Sequence, residues 1–269
     1  VPFMKKFWGF LLVIVLMTSC GEYQSLLKSN DYNLVYKKAI EYYNKGDYQR
    51  AMNLLDGVRS VFVGQAKAQN IAYYRAFCSY NMKDYQIASD LFKQFIQTYP
   101  ESSFAEECLY MMGFCDYKAS PKPRLDQQVT EKAIREFQLY LSRYPYSMRK
   151  DKVNTYMDEM RDKLSYKAYL SAKNYYLREH YKAAVISLQN CLKDYPGSKY
   201  REEIMYMLFV SKYQMAVNSV EDKKVERYNN AREEYYYFAD EYPNSRYAAD
   251  VKKMYEDIEA YLENYKFED

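Results

Sequence analysis

Glycine and proline are scarce, seven of each in 269 residues, roughly a third and a half of ordinary usage. Sandwiches, barrels and dinucleotide-binding sheets turn the chain often and need such residues, so they are excluded and a mostly helical chain is favoured. An excess of one charge is also missing. Thirty-nine basic residues stand against 36 acidic ones, a net +3, which offers no long-range attraction for nucleic acid. One histidine, His180, excludes a His-rich metal site. No P-loop, GxGxxG, GxSxG or HExxH occurs, and the carboxylates are scattered as on solvated helix faces. No catalytic residue, metal or cofactor is therefore expected. Cysteines are few, and no CxxC spacing occurs among Cys78, Cys108, Cys115 and Cys191. Small buried core residues are their expected role. Apolar and charged residues make up 49% and 28% of the chain, so it has the means to fold. What abounds is tyrosine, 35 residues.

Lys5-Lys6 precede an apolar run over residues 7–17. Eleven residues are too few to span a bilayer as a helix, and the layout is that of a secretory signal. Leu16-Met17-Thr18-Ser19-Cys20 resembles a bacterial lipobox. That resemblance implies a signal peptide over 1–19, cleavage before Cys20 and lipidation of Cys20. Several acyl chains make such anchoring stable. Residues 20–30 are then expected to be a short tether.

The chain repeats itself. Tyr99-Pro100-Glu101-Ser102, Tyr144-Pro145-Tyr146-Ser147, Tyr195-Pro196-Gly197-Ser198 and Tyr242-Pro243-Asn244-Ser245 each close a helix of three-and-four apolar spacing. Proline stops one helix and serine can cap the next. Upstream, Gly46-Asp47-Tyr48 matches Lys83-Asp84-Tyr85 and, more loosely, Glu179-His180-Tyr181. Helix pairs of this kind resemble tetratricopeptide repeats (TPRs), which bury their apolar faces by stacking on neighbours. The expected fold is all-α: a TPR superhelix of five helix pairs with a long central helix and a carboxyl-terminal capping helix. The gap-free stretch 151–179 predicts the long helix, about 28 residues or about 40 Å. Residues 31–148 form the amino half and 149–269 the carboxyl half. A loop is expected around 119–124, a charged insertion at 218–229 and the capping helix over 247–267.

Aligning the repeats places tyrosines seven apart in the first helices: Tyr36/Tyr43, Tyr73/Tyr80, Tyr110/Tyr117, Tyr169/Tyr176 and Tyr206/Tyr213. Residues seven apart share one helix face. In TPR geometry that face lines the concave groove. Such tyrosines serve as packing residues, as a ladder of rings for a peptide, or as both. Asn44 and Asn81 recur beside them and add amides.

Lipobox, five TPR-like repeats and long helix together resemble the BamD family, lipoproteins of the outer-membrane β-barrel assembly machinery. The similarity is densest from Arg161-Asp162-Lys163-Leu164 through Tyr175-Tyr176-Leu177-Arg178 to Asp194-Tyr195-Pro196, and in Leu109-Tyr110-Met111-Met112-Gly113-Phe114. It implies a non-catalytic scaffold on the outer membrane, facing the periplasm. Its partners would be the POTRA domains of a BamA-like barrel subunit, unfolded outer-membrane proteins and other lipoproteins of the machinery. Clients carry strands of alternating apolar and aromatic residues with unpaired backbone groups. Their expected groove is Tyr36, Tyr43, Asn44, Tyr73, Tyr80, Asn81, Tyr110 and Tyr117. The carboxyl half is expected to hold the barrel subunit, through Tyr169, Tyr176, Arg178, Tyr206 and Tyr213. Two rivals are a TPR scaffold of another envelope machine, such as secretin assembly or cell-wall synthesis, and a nutrient-binding lipoprotein of SusD type. Glu101-Ser102 also resembles the Glu-Ser of lytic transglycosylases, but it lies in a repeat turn and no lysozyme-like domain follows.

Overall fold

The computed structural model describes residues 21–265; the expected signal peptide and Cys20 lie outside them. Within that range there are twelve helices and no strand. A short helix, α1 (21–27), precedes five pairs: α2 (Tyr32–Asn44) with α3 (Tyr48–Val58), α4 (Ala66–Asn81) with α5 (Tyr85–Thr98), α6 (Ala105–Ala119) with α7 (Gln128–Arg143), α8 (Lys150–Leu177) with α9 (Tyr181–Asp194), and α10 (Arg201–Val217) with α11 (Glu221–Glu241). The last helix is α12 (Ala248–Tyr265). These are the five pairs, the 28-residue helix and the closing helix that repeat spacing predicts.

Local chemistry explains the ends. Asp31 and Asp47 cap α2 and α3, accepting from the backbone N–H of Leu34 at 3.0 Å and Arg50 at 3.2 Å. The three matched turns share one geometry. Gly46, Lys83 and Glu179 donate to the carbonyls of Tyr43, Tyr80 and Tyr176 at 2.9–3.0 Å. The next residues, Asp47, Asp84 and His180, donate to Tyr42, Ser79 and Tyr175 at 2.9–3.0 Å. This pairing satisfies the last carbonyls of a helix and needs a left-handed residue. Gly46, Lys83 and Glu179 supply it, with φ of 81°, 68° and 59°.

The Tyr-Pro-x-Ser ends are equally uniform. Each serine N–H donates to the tyrosine carbonyl at 3.0–3.1 Å. Each serine Oγ then accepts from the N–H two residues on, that of Phe104, Arg149, Tyr200 or Tyr247, at 3.0–3.2 Å.

The chain divides into two compact units. One comprises residues up to 121 and 126–157, the other 122–125 and 158–269, so the division falls within α8. In the first unit Phe92, Phe95, Phe137 and Tyr140 are completely buried. α6 and α7 approach closely because Gly113 faces the Phe137 ring; a Cβ there would lie 2.9 Å from that ring. In the second unit Phe209 and Phe238 are the fully buried rings.

One expectation changes. Residues 21–27, expected as tether, form a docked helix whose Tyr23 and Leu26 are buried with Val35, Leu54 and Phe62. Apolar side chains at three-residue spacing make the segment a core element. The charged insertion at 218–229 is mostly helix: α11 begins at Glu221, and Glu221 and Asp222 suit the positive end of its dipole. The expected loop in the third repeat is present as residues 120–127.

Candidate functional site

The two tyrosines of each pair have different neighbours, which helix periodicity does not reveal. The first tyrosine of each pair is covered by the following repeat. Phe104 lies 4.6 Å from Tyr73, Tyr200 stacks on Tyr169 at 4.3 Å, and Tyr247 stacks on Tyr206 at 4.0 Å. Arg149 places its guanidinium 4.9 Å from the Tyr110 ring, and Lys67 its ammonium 5.7 Å from Tyr36. Phe104, Arg149, Tyr200 and Tyr247 are the residues whose N–H groups bond the turn serines. One turn thus caps a helix and closes a lid over a ring. Aromatic and cation–π contacts of this kind add about 0.5–1.5 kcal/mol each.

Tyr110 and Tyr169, expected to face a peptide or a partner, are accordingly buried, at 8% and 5% exposure. Tyr110 sits among Phe114, Phe137 and Tyr140, and the Tyr169 hydroxyl accepts from Lys173 at 2.8 Å. These two rings are packing residues. The other first tyrosines, Tyr36, Tyr73 and Tyr206, are half-buried. The Tyr73 hydroxyl donates to Glu107 at 2.9 Å.

The second tyrosines are half-buried and form a continuous file in the first unit. Tyr43 meets Tyr74 at 4.9 Å, Tyr74 meets Tyr73 at 5.5 Å, and Tyr73 meets Phe77 at 4.5 Å. The file continues through Tyr80 and Phe114 to Tyr117, whose ring stacks on Tyr156 at 4.4 Å. Tyr74, Phe77, Phe114 and Tyr156 join it although the seven-residue spacing did not select them. Tyr156 comes from α8, which the repeat alignment treats as an insertion; no sequence signal ties it to Tyr117. The lid residues could have been found, since Lys67, Phe104 and Tyr200 each follow their tyrosine by 31 residues.

Polar groups along this file are partly committed. Asn81 donates to the Phe77 carbonyl at 2.9 Å and to the Tyr43 hydroxyl at 3.5 Å. Asn44 is exposed, and neither its amide nor the Tyr80 hydroxyl has a hydrogen-bond partner among the described residues. Burial pushes the Tyr43 phenol up to about 12 and raises Tyr73 and Tyr80 as well. These hydroxyls stay protonated at neutral pH and act as neutral donors and acceptors.

In the second unit, burial pushes Tyr176 and Tyr213 up to about 12. Tyr176 hydrogen-bonds Tyr206, and Tyr213 donates to Asp257 at 3.2 Å. Arg178 is exposed at the end of α8, without a side-chain partner among the described residues. A cleft of about 700 Å³ in this unit is lined by the turn residue His180 and by Tyr175, Ile186, Met215 and Arg227, which the repeat alignment did not single out.

Cys78, Cys108, Cys115 and Cys191 are buried free thiols. Burial pushes Cys78 and Cys108 up to about 12 and Cys191 to about 11, away from reactive thiolate. No cluster of His, Cys, Asp or Glu among the described residues could hold a metal ion. Glu101 is exposed in its turn. No helix among the described residues is long and apolar enough to cross a membrane.

Solved structures similar to the chain include a TPR repeats protein from Bacteroides fragilis, 13% identical, with a TM-score of 0.42 over 86% of this chain and 99% of that one. The TPR2AB domain of yeast Sti1, in its pHSP90 complex, is 14% identical, with a TM-score of 0.38 over 85% of this chain and 98% of that one. No curated protein matches the chain in sequence. The family model YfiO, described as outer membrane lipoprotein, matches residues 28–203 and again 167–268. The overlap of the two matches is what serial repeats of one type produce. The chain belongs to this YfiO family of BamD-type outer membrane lipoproteins.

Proposed function

We propose that this lipoprotein is a non-catalytic scaffold of the outer-membrane β-barrel assembly machinery, facing the periplasm on a lipidated Cys20. Its first unit receives unfolded outer-membrane proteins, and its second docks on the POTRA domains of the barrel subunit. The observation that carries the client half of this reading is the file of half-buried rings from Tyr43 to Tyr117. A client strand alternates apolar side chains with unpaired backbone groups. Ring edges along the file supply apolar contact, while Asn44 and Tyr80 supply hydrogen-bonding groups that the fold leaves uncommitted. Tyr36, Tyr73 and Asn81 shape the file, and Tyr110 holds it from behind. Individually weak contacts suit a client that must be released into the membrane.

Docking of the barrel subunit is assigned to the second unit, with Arg178, Tyr176, Tyr206 and Tyr213 as its more accessible candidates and Tyr169 as support. Affinity purification of the lipidated chain from solubilised envelopes tests the assembly role. A stoichiometric barrel subunit with POTRA domains is the expected partner. Recovery of a secretin or a cell-wall enzyme instead would sink the assignment.

The groove has its own test. Replacing Tyr43 and Tyr80 by Leu keeps apolar bulk and removes ring edges and hydroxyls; adding Asn44→Ala removes the exposed amide. The triple variant is expected to bind a carboxyl-terminal barrel-strand peptide at least tenfold more weakly at unchanged helicity. Unaltered affinity would remove the file from the client site.

A further inference from the structure

The docking of α1 settles more than the start of the fold. Glu22 pairs with Lys38 at 3.0 Å, and the Tyr23 hydroxyl accepts from Asn53 at 3.0 Å. The Tyr23 ring meets Tyr42 edge-on at 6.0 Å, and the Arg50 guanidinium lies 5.3 Å from it. Tyr42 is near the end of α2 and Arg50 near the start of α3. The amino end of α1 is therefore held beside the α2–α3 turn, Lys45-Gly46-Asp47. In the sequence Cys20 directly precedes Gly21, the first residue of α1.

That turn belongs to one edge of the first unit. Tyr43 and Asn81 are hydrogen-bonded, which sets the α4–α5 turn beside the α2–α3 turn. Tyr80 packs on Phe114, and Lys118 lies over the same Phe114 ring, which brings the end of α6 to that edge too. Lys45, Lys83 and Lys118 are all exposed there. Of the acids nearby, Asp47 is paired with Arg50, Glu22 and Glu41 share Lys38, and Asp84 stands exposed, so Lys45, Lys83, Lys118, Lys38 and Arg50 outnumber the acids by one. The edge carries a modest positive excess, which favours an anionic lipid surface.

We propose that this edge, headed by Lys45 and Lys83, lies against the bilayer surface that holds the acyl chains of Cys20. The anchor then orients the protein as well as retaining it. The opposite edge of the unit, with Ser103 in its α5–α6 turn, points away from the lipid. The proposal rests on the reading of Cys20 as the lipid-bearing residue, and the test separates the two.

The full lipidated chain is placed on vesicles of phosphatidylethanolamine and phosphatidylglycerol that carry a headgroup-attached quencher. A fluorescent label is introduced singly through Lys45→Cys, Lys83→Cys or Ser103→Cys; the four described native thiols are buried and do not compete. Quenching several-fold stronger at 45 and 83 than at 103 is expected. Equal quenching at all three positions, with intact mass showing a lipidated Cys20 and the protein floating with the vesicles, overturns the orientation and leaves the anchor standing. An unlipidated Cys20 overturns both. A second variant inserts a flexible Gly-Ser segment of about ten residues between Cys20 and Gly21, with a root-mean-square span of about 17 Å. It leaves α1 intact and is expected to lower quenching at 45 and 83 to the level at 103. Persistence of the strong quenching would show that the docked α1 does not set the orientation.

Discussion

Lys83 and Glu179 hold a backbone conformation that Gly46 adopts at the equivalent turn. An L-residue in the left-handed region costs about 1–2 kcal/mol, partly offset because glycine loses more entropy on folding. Lys83→Gly and Glu179→Gly are therefore each expected to raise stability by about 0.5–1 kcal/mol, read as a higher urea midpoint at unchanged slope. A lower midpoint would mean that the side chains contribute more than the strain removes. A second residue-scale consequence concerns Glu136. It is buried beside Asp116, and Lys132 lies 2.8 Å from Asp116 and 3.7 Å from Glu136. In the fifth repeat the equivalent positions are a Lys212–Glu234 pair at 2.5 Å, so an acid in the third repeat replaces a base. Burial, then the hydrogen bond and charge of Asp116, push Glu136 up to about 8 from 4.5, against the pull of Lys132. The folded chain thus binds a proton that the unfolded chain releases near pH 4.5. Stability from this group is full below that pH and is lost as pH rises toward about 8. Glu136→Gln keeps a neutral side chain of similar shape. Its midpoint is expected to gain steadily on the parent between about pH 5 and 8; parallel curves would show that Glu136 is already ionised in the fold.

At the scale of elements, the contact between α6 and α7 depends on the absence of one carbon. A Cβ at position 113 would meet three atoms of the Phe137 ring at 2.9–3.3 Å, and Phe137 is fully buried. The ring has no solvent to move into, so the helices must separate or the ring must leave its rotamer. Gly113→Ala is expected to cost about 1–3 kcal/mol. Phe137→Leu in the same chain should recover part of that loss, whereas additive losses in thermal unfolding would locate the strain elsewhere. The extra length of α11 follows the same logic of element ends. Without a breaker after Val220, and with Glu221 and Asp222 at its start, the charged insertion is taken up as helix from Glu221.

At the scale of the whole chain, serial repeats make most contacts with their neighbours, so a local loss should stay local. The first and last helix pairs bury separate cores. One gathers around Leu54, Leu55 and Ile71, the other around Phe209, Ala231 and Phe238. Phe238→Ala is expected to cost about 3–5 kcal/mol through lost burial and a cavity. Hydrogen exchange should show that loss in α10–α12 while α2 and α3 keep their protection. Uniform loss across the chain would mean that the repeats open as one cooperative body. Family membership belongs to this scale as well. The YfiO match spans nearly all the described repeats, whereas no single tyrosine pair identifies an outer membrane lipoprotein.

Helices, their pairing and their ends were legible in the sequence by itself, because each depends on residues a few positions apart. Tyr-Pro-x-Ser both stops one helix and caps the next, and the stretch without glycine or proline became the 28 residues of α8. The tyrosine ladder was legible only in part. Spacing placed each pair on one helix face, but how far each ring is covered depends on its tertiary neighbours, among them a lid 31 residues downstream, or further where a repeat carries an insertion. Tyr110 and Tyr169 are covered; Tyr43 and Tyr80 are more open. The docking of α1 was hidden for a related reason. Tyr23 and Leu26 in a seven-residue segment carry too little periodicity to announce a helix, and only the core around Val35 and Leu54 stabilises one. Local order follows from steric and hydrogen-bonding rules within a turn or two of chain. Burial follows from surfaces that meet only after the repeats have stacked.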